Sequence, residues 1–285
     1  MIIIGIMGGL GNQMFQYALY RKFLSLGKDV KLDISSFSAK QEVRHFELDT
    51  FGIPYELADP KDILRLGNSY SSLIGKIRGK LGISKRSVYQ ENLDLGYQPV
   101  IFDMDNVYLE GYWQAEQYFS DIREELLSLF RFPLPLNHEN EEILKQIRSG
   151  PSVSIHVRRG DYLSPENNPV YGNICTIEYY KKAIRYAREH FRGVTFFLFT
   201  NDPNWVRQNL YENDMVIVDC NKGDNAVYDM YLMSQCDGNI VANSSFSWWG
   251  AWLNQHTPKF VLSPYKWRNR HDVRDTICAD WIKID

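Results

Sequence analysis

The second half of the chain alternates between short apolar runs and segments with helical spacing, and this alternation restricts the possible folds more than any other feature. Short apolar runs separated by helices of about 10 to 15 residues are typical of strands that run parallel in one sheet. The predicted elements are strand 153–157, helix 176–191, strand 194–199, helix 204–210, strand 215–219, helix 226–236, strand 239–242, helix 246–254 and strand 260–262. They predict an α/β domain whose parallel sheet is covered by helices on both faces.

The first half begins with the same kind of unit. An apolar strand at 2–7 leads into a glycine-rich turn at 8–13, helical spacing follows to Leu24, and a second strand lies at 29–34. A further strand is predicted at 108–113, an amphipathic helix at 120–130, and short helices with mobile connections in 59–93. Proline-rich residues 133–137 break the pattern. We therefore predict two Rossmann-like α/β domains, 1–145 and 146–285, with a cleft between them.

Composition excludes several classes of protein. With 285 residues, 44% of them hydrophobic, the chain can bury sizeable cores, and its net charge of −3 without a basic stripe does not suggest a nucleic-acid partner. Four scattered cysteines without a CxxC pair indicate neither a zinc site nor a disulfide framework, which favours the cytoplasm. No apolar run approaches about 18 residues, so any membrane contact would be peripheral, at the inner face.

Two adjacent arginines, Arg158 and Arg159, directly follow the strand at 153–157 and precede a Gly160-Asp161 turn. Open α/β sheets bind ligands at the carboxyl ends of their strands. Because a guanidinium group is planar, permanently charged and able to contact two phosphate oxygens at once, this pair indicates a diphosphate site. A surface salt bridge between an arginine and Asp161 is the alternative.

A second polar loop lies between the strand at 239–242 and the helix that begins near Phe246. It carries Asn243, Ser244 and Ser245, whose hydroxyl groups and backbone N–H groups can face an anion at the start of a helix. Ordinary N-capping by serine is the alternative. Asp202, which follows the strand at 194–199 beside the arginine loop, is expected to cap the next helix. We expect the nearby tryptophans to lie in the core: Trp248, Trp249 and Trp252.

The glycine-rich turn at 8–13 only partly matches a dinucleotide-binding fingerprint, because the third glycine is missing and Asp33 is the only acidic support. A nicotinamide or flavin site is therefore the lesser alternative. The amides of Asn12 and Gln13 are instead available for sugar hydroxyls. Asp103 and Asp105 have a spacing that can hold a divalent metal, but the arginine pair could neutralise a diphosphate without one.

Four motifs together resemble the α-1,2-fucosyltransferases of glycosyltransferase family 11. They are GGLGNQMFQYA (8–18), HVRRGDY (156–162), FTND (199–202) and NSSFSWWGAW (243–252). The resemblance implies a GT-B architecture, GDP-β-L-fucose as the donor, inversion at the anomeric carbon, and no cofactor or required metal. The implied partner is a galactose-containing glycan such as lactose or an O-antigen unit. Residues 1–145 would form the acceptor side and 146–285 would bind the nucleotide.

The resemblance also implies roles for individual residues. Arg158 would hold the β-phosphate, while His156 and Arg159 would support the loop or the nucleotide. Asp229 would accept hydrogen bonds from guanine. The diphosphate would contact Ser244, Ser245 and Phe246, with Asn243 beside them, and Asn12 and Gln13 would face the cleft.

The acceptor hydroxyl must lose a proton, for which Asp161 is the first candidate base and Glu110 the second. Asp161 could instead orient one of the arginines. Two further alternatives remain: a fucosyltransferase that makes another linkage, and a non-catalytic protein that binds GDP or a glycan.

Overall fold

The protein was analysed as a computed structural model that describes residues 1–38, 44–67, 85–271 and 274–285. These residues form two compact units, Met1–Arg131 and Phe132–Asp285. Residues 132–145, which were assigned to the first domain, therefore lie in the second unit. The reason is a helix, His138–Ile147, whose Ile147 joins a buried cluster that includes Phe197 and Leu232.

The first unit contains a parallel four-stranded sheet with the order β2-β1-β4-β3. Its strands are β1 (Ile2–Gly5), β2 (Val30–Asp33), β3 (Val88–Gln90) and β4 (Val107–Glu110). Its helices are α1 (Leu10–Ser25), α2 (Pro60–Leu66) and α3 (Arg123–Leu129). The three predicted strands are present in shortened form, and β3 was not foreseen. Part of the predicted 59–93 region, residues 68–84, lies outside the described residues.

Helix α1 ties the carboxyl ends of two neighbouring strands together. Its buried Gln16 accepts a hydrogen bond from the Met7 N–H at 3.0 Å and donates to the Gly111 carbonyl at 2.9 Å. Gly8, immediately before the helix, has φ +79°, a conformation that other residues rarely adopt. The glycine-rich turn thus sets the direction in which α1 leaves β1.

The second unit contains a parallel six-stranded sheet with the order β10-β9-β8-β5-β6-β7. Its strands are β5 (Ser152–Val157), β6 (Thr195–Thr200), β7 (Met215–Val218), β8 (Gly238–Ile240), β9 (Phe260–Pro264) and β10 (Ile282–Ile284). Its helices are α4 (His138–Ile147), α5 (Asn168–Tyr171), α6 (Ile177–His190), α7 (Pro203–Asn209), α8 (Ala226–Ser234) and α9 (Ser245–Trp252). The parallel sheet predicted from the alternation is confirmed.

The second unit also contains elements that periodicity did not predict. Strand β10 and helix α5 are too short to carry a periodic signal. Helix α4 was hidden behind the proline-rich break, although Asn137 caps it by accepting a hydrogen bond from the Asn140 N–H at 2.9 Å. The N-cap residue of α4 thus lies inside the proline-rich segment that predicts the domain boundary.

The tryptophans of α9 form part of the core, as predicted. Trp248, Trp249 and Trp252 are at most 2% exposed and their rings contact one another. Within the described ranges, no helix is both long and apolar enough to span a bilayer.

Candidate functional site

The candidate site lies at the carboxyl edge of the six-stranded sheet. Because β5 to β8 run parallel, the loops that follow them meet at this edge. The loop after β5 carries the two arginines, and the loop after β8 leads into α9. The two motifs that were expected to bind a diphosphate are therefore on adjacent strands, since β5 pairs directly with β8.

Arg158 is held from one side only. Its Nη2 donates to Asp161 Oδ2 at 2.8 Å, and its guanidinium carbon lies 5.8 Å from the centre of the Tyr162 ring. The side chain remains 24% exposed, and its other N–H groups donate to none of the described residues. The guanidinium thus has a defined orientation while most of its five donors remain available to an anion.

Arg159 anchors the same loop to the connection after β6. Its guanidinium carbon lies 4.1 Å from the centre of the Trp205 ring, and its Nε is 3.5 Å from Asp202 Oδ2. Its backbone N–H donates to Asn201 Oδ1 at 3.0 Å. Asp202 also caps α7 through the Trp205 N–H, as expected. These contacts favour a supporting role for Arg159.

Gly160 is required by close packing in this loop. A Cβ atom at this position would collide with the side-chain amide of Asn201, which is the group that anchors the Arg159 backbone. A side chain at position 160 would therefore push the Asn201 amide aside and disturb the hydrogen bond that anchors the arginine loop.

We expect Gly160→Ala to lower kcat at least about tenfold, because a displacement of about 1 Å in a positioned group can cost more than that. Turnover and thermal unfolding should be measured together. Gly150→Ala is the matched control, since no atom lies within 4 Å of the added Cβ and the activity should not change. Equal activity of the two variants would refute the packing requirement.

His156 is an uncharged neighbour of Arg158. It is 5% exposed, its ring centre lies 5.8 Å from that of Phe246, and its Nδ1 has no hydrogen-bond partner among the described residues. Burial, and secondarily the Arg158 charge, lower the pKa of His156 to about 3. The imidazole is therefore neutral at physiological pH and adds no positive charge to the site.

The loop before α9 divides into a structural part and an open part. The Asn243 amide is buried and donates to the carbonyls of Tyr171 and Trp267, at 3.1 and 3.2 Å, so this side chain fixes the loop to neighbouring segments. Ser244 caps α9 by accepting from the Phe246 N–H at 3.4 Å. Ser245 is only partly buried, and first-turn N–H groups of a helix have no intrahelical partner.

Asp229 lies in the first turn of α8, the helix that follows strand β7 of the same six-stranded sheet. Its Oδ1 accepts a hydrogen bond from Asn221 Nδ2 at 2.8 Å. Burial raises the pKa of Asp229 to about 7, the Asn221 donor opposes this rise, and the Asp219 charge adds to it. The carboxylate form that could accept hydrogen bonds from a nucleobase therefore becomes dominant only above about neutral pH.

The three predicted acceptor-side residues lie in the first unit. Asn12 is partly buried, and its Oδ1 accepts from Gln114 Nε2 at 2.7 Å. Gln13 is fully buried, and its amide bonds to Gly8, His45 and Glu47 within the first unit; its contact with a sugar stays a prediction. Glu110 is the last residue of β4 and is partly buried.

Two carboxylates on which the dinucleotide and metal alternatives depend, Asp33 and Asp105, have partners within the protein. Asp33 accepts from the Tyr108 hydroxyl at 2.9 Å and from the Ser35 N–H at 2.8 Å, so both oxygens are engaged within the first unit. Asp105 lies 3.4 Å from Lys28 Nζ. Among the residues that the structure describes, no cluster of three or more acidic, histidine or cysteine side chains could hold a metal ion.

Asn201, in the FTND motif, contacts the arginine loop, and the structure adds three residues to the site that the sequence analysis did not identify. Trp205 packs against Arg159, and Asn140 and Asn221 form hydrogen bonds next to Asp229. Asn221 follows a predicted strand closely, which is a signal that could have identified it. The position of Asn140 could not be predicted because it approaches Asn221 from 81 residues away.

Comparisons with known proteins identify relatives of this chain. The profile described as "Glycosyl transferase family 11" matches residues 97–285. An alpha-1,2-colitosyltransferase of Escherichia coli is 32% identical over 292 residues, which cover 100% of this chain and 99% of that protein. The O-antigen biosynthesis glycosyltransferase WbnK of Escherichia coli is 32% identical over 304 residues, which cover 97% and 98% respectively.

A vertebrate relative and a solved structure extend the comparison. Galactoside alpha-(1,2)-fucosyltransferase 1 of Leontopithecus chrysomelas is 28% identical over 190 residues, covering 62% of this chain and 52% of that protein. The crystal structure of NodZ alpha-1,6-fucosyltransferase soaked with GDP-fucose has a TM-score of 0.52 and 16% identity, covering 88% and 92% of the two chains. The predicted GT-B class of fold is thereby confirmed. The chain belongs to glycosyl transferase family 11.

Proposed function

We propose that the protein transfers L-fucose from GDP-β-L-fucose to the 2-hydroxyl group of a galactoside and inverts the anomeric configuration. The observation that carries this proposal is the oriented, half-open guanidinium of Arg158 beside the start of α9. Family membership and the full-length similarity to an alpha-1,2-colitosyltransferase and to an O-antigen glycosyltransferase support the linkage and a glycan acceptor.

In the proposed reaction the bond between the anomeric carbon and the β-phosphate oxygen breaks, and its electron pair leaves with GDP. The acceptor 2-hydroxyl oxygen bonds to the same carbon from the opposite face, which converts the β-linked sugar to an α-glycoside. The hydroxyl proton passes to a base. Negative charge grows on the phosphate during this step, so donors fixed in advance stabilise the transition state more than the ground state.

The residues of the second unit divide this work. Arg158 meets the β-phosphate, and the Ser245 hydroxyl with the first N–H groups of α9 meets the diphosphate, while Ser244 keeps its role as the helix cap. Asp161 Oδ2 accepts a hydrogen bond from Arg158 Nη2 at 2.8 Å. This contact supports a role for Asp161 in orienting Arg158 over the alternative role as the base. Arg159, Asn201 and the neutral His156 keep the loop in place.

With Asp161 engaged by Arg158, we propose Glu110 as the base. Glu110→Gln is expected to lower kcat by about 10²-fold or more, because general base catalysis contributes about 10²–10⁴-fold. The acidic limb of the kcat–pH profile should disappear in this variant and persist in Asp161→Asn. Glu56→Gln, which changes an exposed carboxylate 3.9 Å from Lys31, is the control and should remain active. Loss of the acidic limb in Asp161→Asn instead would make Asp161 the base.

A product assay tests the proposed function directly. The purified protein is incubated with GDP-fucose and lactose, released GDP is quantified, and the product linkage is determined by NMR. A Fuc-α-1,2-Gal product supports the proposal, and another linkage refutes it. GDP binding without GDP release would favour the non-catalytic alternative. We propose that no metal is needed, so loss of turnover in EDTA that Mn²⁺ restores would contradict that part.

A second candidate donor is a nucleotide-activated colitose, the 3-deoxy form of L-fucose. The full-length similarity to the colitosyltransferase favours it. The same residues would contact the nucleotide, and only the contact at the sugar 3-position would differ. Direct competition between the two activated sugars, with both products quantified, distinguishes them. Preferential transfer of colitose would replace fucose as the proposed donor sugar.

A further inference from the structure

Behind Asp229 lies a chain of hydrogen bonds between side-chain amides. Asn140 Nδ2 donates to Asn221 Oδ1 at 2.9 Å, and Asn221 Nδ2 donates back to Asn140 Oδ1 at 2.7 Å. Asn221 Nδ2 also donates to Asp229 Oδ1 at 2.8 Å, while Asn140 Nδ2 donates to Asn137 Oδ1 at 2.8 Å. Helix α4, the loop after β7 and helix α8 therefore meet through these four side chains.

This pair of amides has only one favourable orientation. All four amide hydrogens of Asn140 and Asn221 have acceptors, and the two residues are 0% and 9% exposed. Rotating the Asn221 amide by 180° would turn its oxygen toward the Asp229 carboxylate and leave buried donors without partners, both of which are unfavourable. The direction of the bond to Asp229 is thus determined by Asn140.

The carboxylate is held but not saturated. Asp229 Oδ1 accepts one hydrogen bond, and Oδ2 accepts none from the part of the chain that the structure describes. An ionised carboxylate has about four acceptor positions, so a ligand with two neighbouring donors can still bind both oxygens. Guanine presents such a pair in its N1–H and 2-amino groups. Hypoxanthine, the base of IDP, lacks the amino group, and adenine lacks the N1–H.

We propose that Asn140 and Asn221 are positioning residues that orient Asp229 for a purine carrying two adjacent donors, and so set the base selectivity of the donor site. This inference rests on the proposed function, in which Asp229 contacts the nucleobase. A fixed carboxylate matches both donors at once, while a mobile one loses the geometric advantage of the second contact. Selectivity for the 2-amino group should therefore depend on the amide pair as much as on Asp229.

The test compares the dissociation constants of GDP and IDP, measured by calorimetry at pH 8, for four variants. Asn221→Ala and Asn140→Ala should each lower the GDP-over-IDP preference by roughly tenfold, toward that of Asp229→Asn, since hydrogen bonds to charged groups contribute about this much. The double variant Asn140→Ala/Asn221→Ala should be no worse than Asn221→Ala alone, because Asn140 acts through Asn221.

Asn254→Ala is the matched control. Asn254 is a fully buried amide of the same unit that donates to the Cys236 carbonyl at 2.7 Å and to Asn239 Oδ1 at 2.8 Å, without a contact to Asp229. It should lower the melting temperature but preserve the GDP-over-IDP preference. A loss of preference in this control would show that selectivity follows general stability, and would overturn the proposal. Asn221→Ser replaces Asn221→Ala if the latter does not fold.

The outcomes separate the two proposals. If Asp229→Asn removes the preference while Asn140→Ala and Asn221→Ala keep it, the positioning role is wrong and the nucleobase contact stands. If Asp229→Asn also keeps the preference, the base contact and the positioning role are both wrong. Absence of GDP binding to the unaltered protein would refute the proposed function itself.

Discussion

The Arg158→Lys variant is expected to retain less than about 1% of the kcat of the unaltered protein, since removing one donor at a developing charge costs about 10²–10³-fold. Lysine keeps the positive charge but cannot hold Asp161 and two phosphate oxygens with one planar group. The melting temperature should stay within about 3 °C, because the side chain is partly exposed and its ion pair contributes little to stability. Steady-state kinetics with GDP-fucose and calorimetry provide the two measurements.

Arg188→Lys is the matched control for this variant. Arg188 makes two hydrogen bonds to Asp214, at 3.0 and 2.8 Å, immediately before β7 and thus at the amino edge of the same sheet. The same substitution should therefore leave turnover within about twofold, in line with the small effects of exposed ion pairs. Near-normal kcat in Arg158→Lys, or equal losses in both variants, would refute the proposed contact with the leaving group.

The Asp229→Asn variant is expected to be more stable than the unaltered protein at pH 8 and to bind the donor more weakly. The pKa of Asp229 is about 7 in the folded protein, against an ordinary value of 3.8. Between these two values the folded state holds one more proton than the unfolded state, so the free energy of unfolding decreases as the pH rises through this window. Asparagine removes that decrease.

The stability difference between the two proteins should therefore be near zero at pH 4 and reach about 4 kcal/mol at pH 8, since each unit of pKa shift corresponds to about 1.4 kcal/mol. Calorimetry at both pH values checks the sign. A variant that is less stable than the unaltered protein at pH 8 would contradict the cost of burying this carboxylate.

The donor KM provides the second readout for Asp229. In the unaltered protein the KM for GDP-fucose should fall as the pH rises through about 7, because the carboxylate that accepts from guanine forms there. The diphosphate ester of GDP-fucose has no ionisation near this pH, which keeps the profile simple. In Asp229→Asn the KM should be about tenfold higher at pH 8 and independent of pH. An unchanged profile would place the nucleobase elsewhere.

Local sequence patterns were sufficient to predict the class of fold and the location of the main site. Strand β5 and the Arg158-Arg159-Gly160-Asp161 turn are adjacent in the chain, so their order alone places the arginines at a carboxyl edge. The N-cap role of Asp202 followed from its place before Pro203 for the same reason. Such features depend only on residues that are adjacent in the chain, so contacts with distant segments do not alter them.

Side-chain partners were much less predictable. Asn243 and Gln13 sit in motifs expected to contact ligands, yet folding buries both amides against backbone groups that are distant in sequence. Asp161 is a candidate base from its sequence position, whereas its hydrogen bond to Arg158 supports an orienting role. A polar residue in a loop can serve a ligand or the fold, and its sequence neighbours do not distinguish these two uses.

The alternation of apolar and helical segments thus determines a parallel α/β fold and places the arginine turn at the carboxyl edge of the sheet. Both features depend on residues only a few positions apart. Which polar groups remain open to a ligand depends on contacts between distant segments, such as Asn140 with Asn221 or Arg159 with Trp205. Those contacts form only when the helices pack on the sheet, since burial forces each polar group to find a partner within reach.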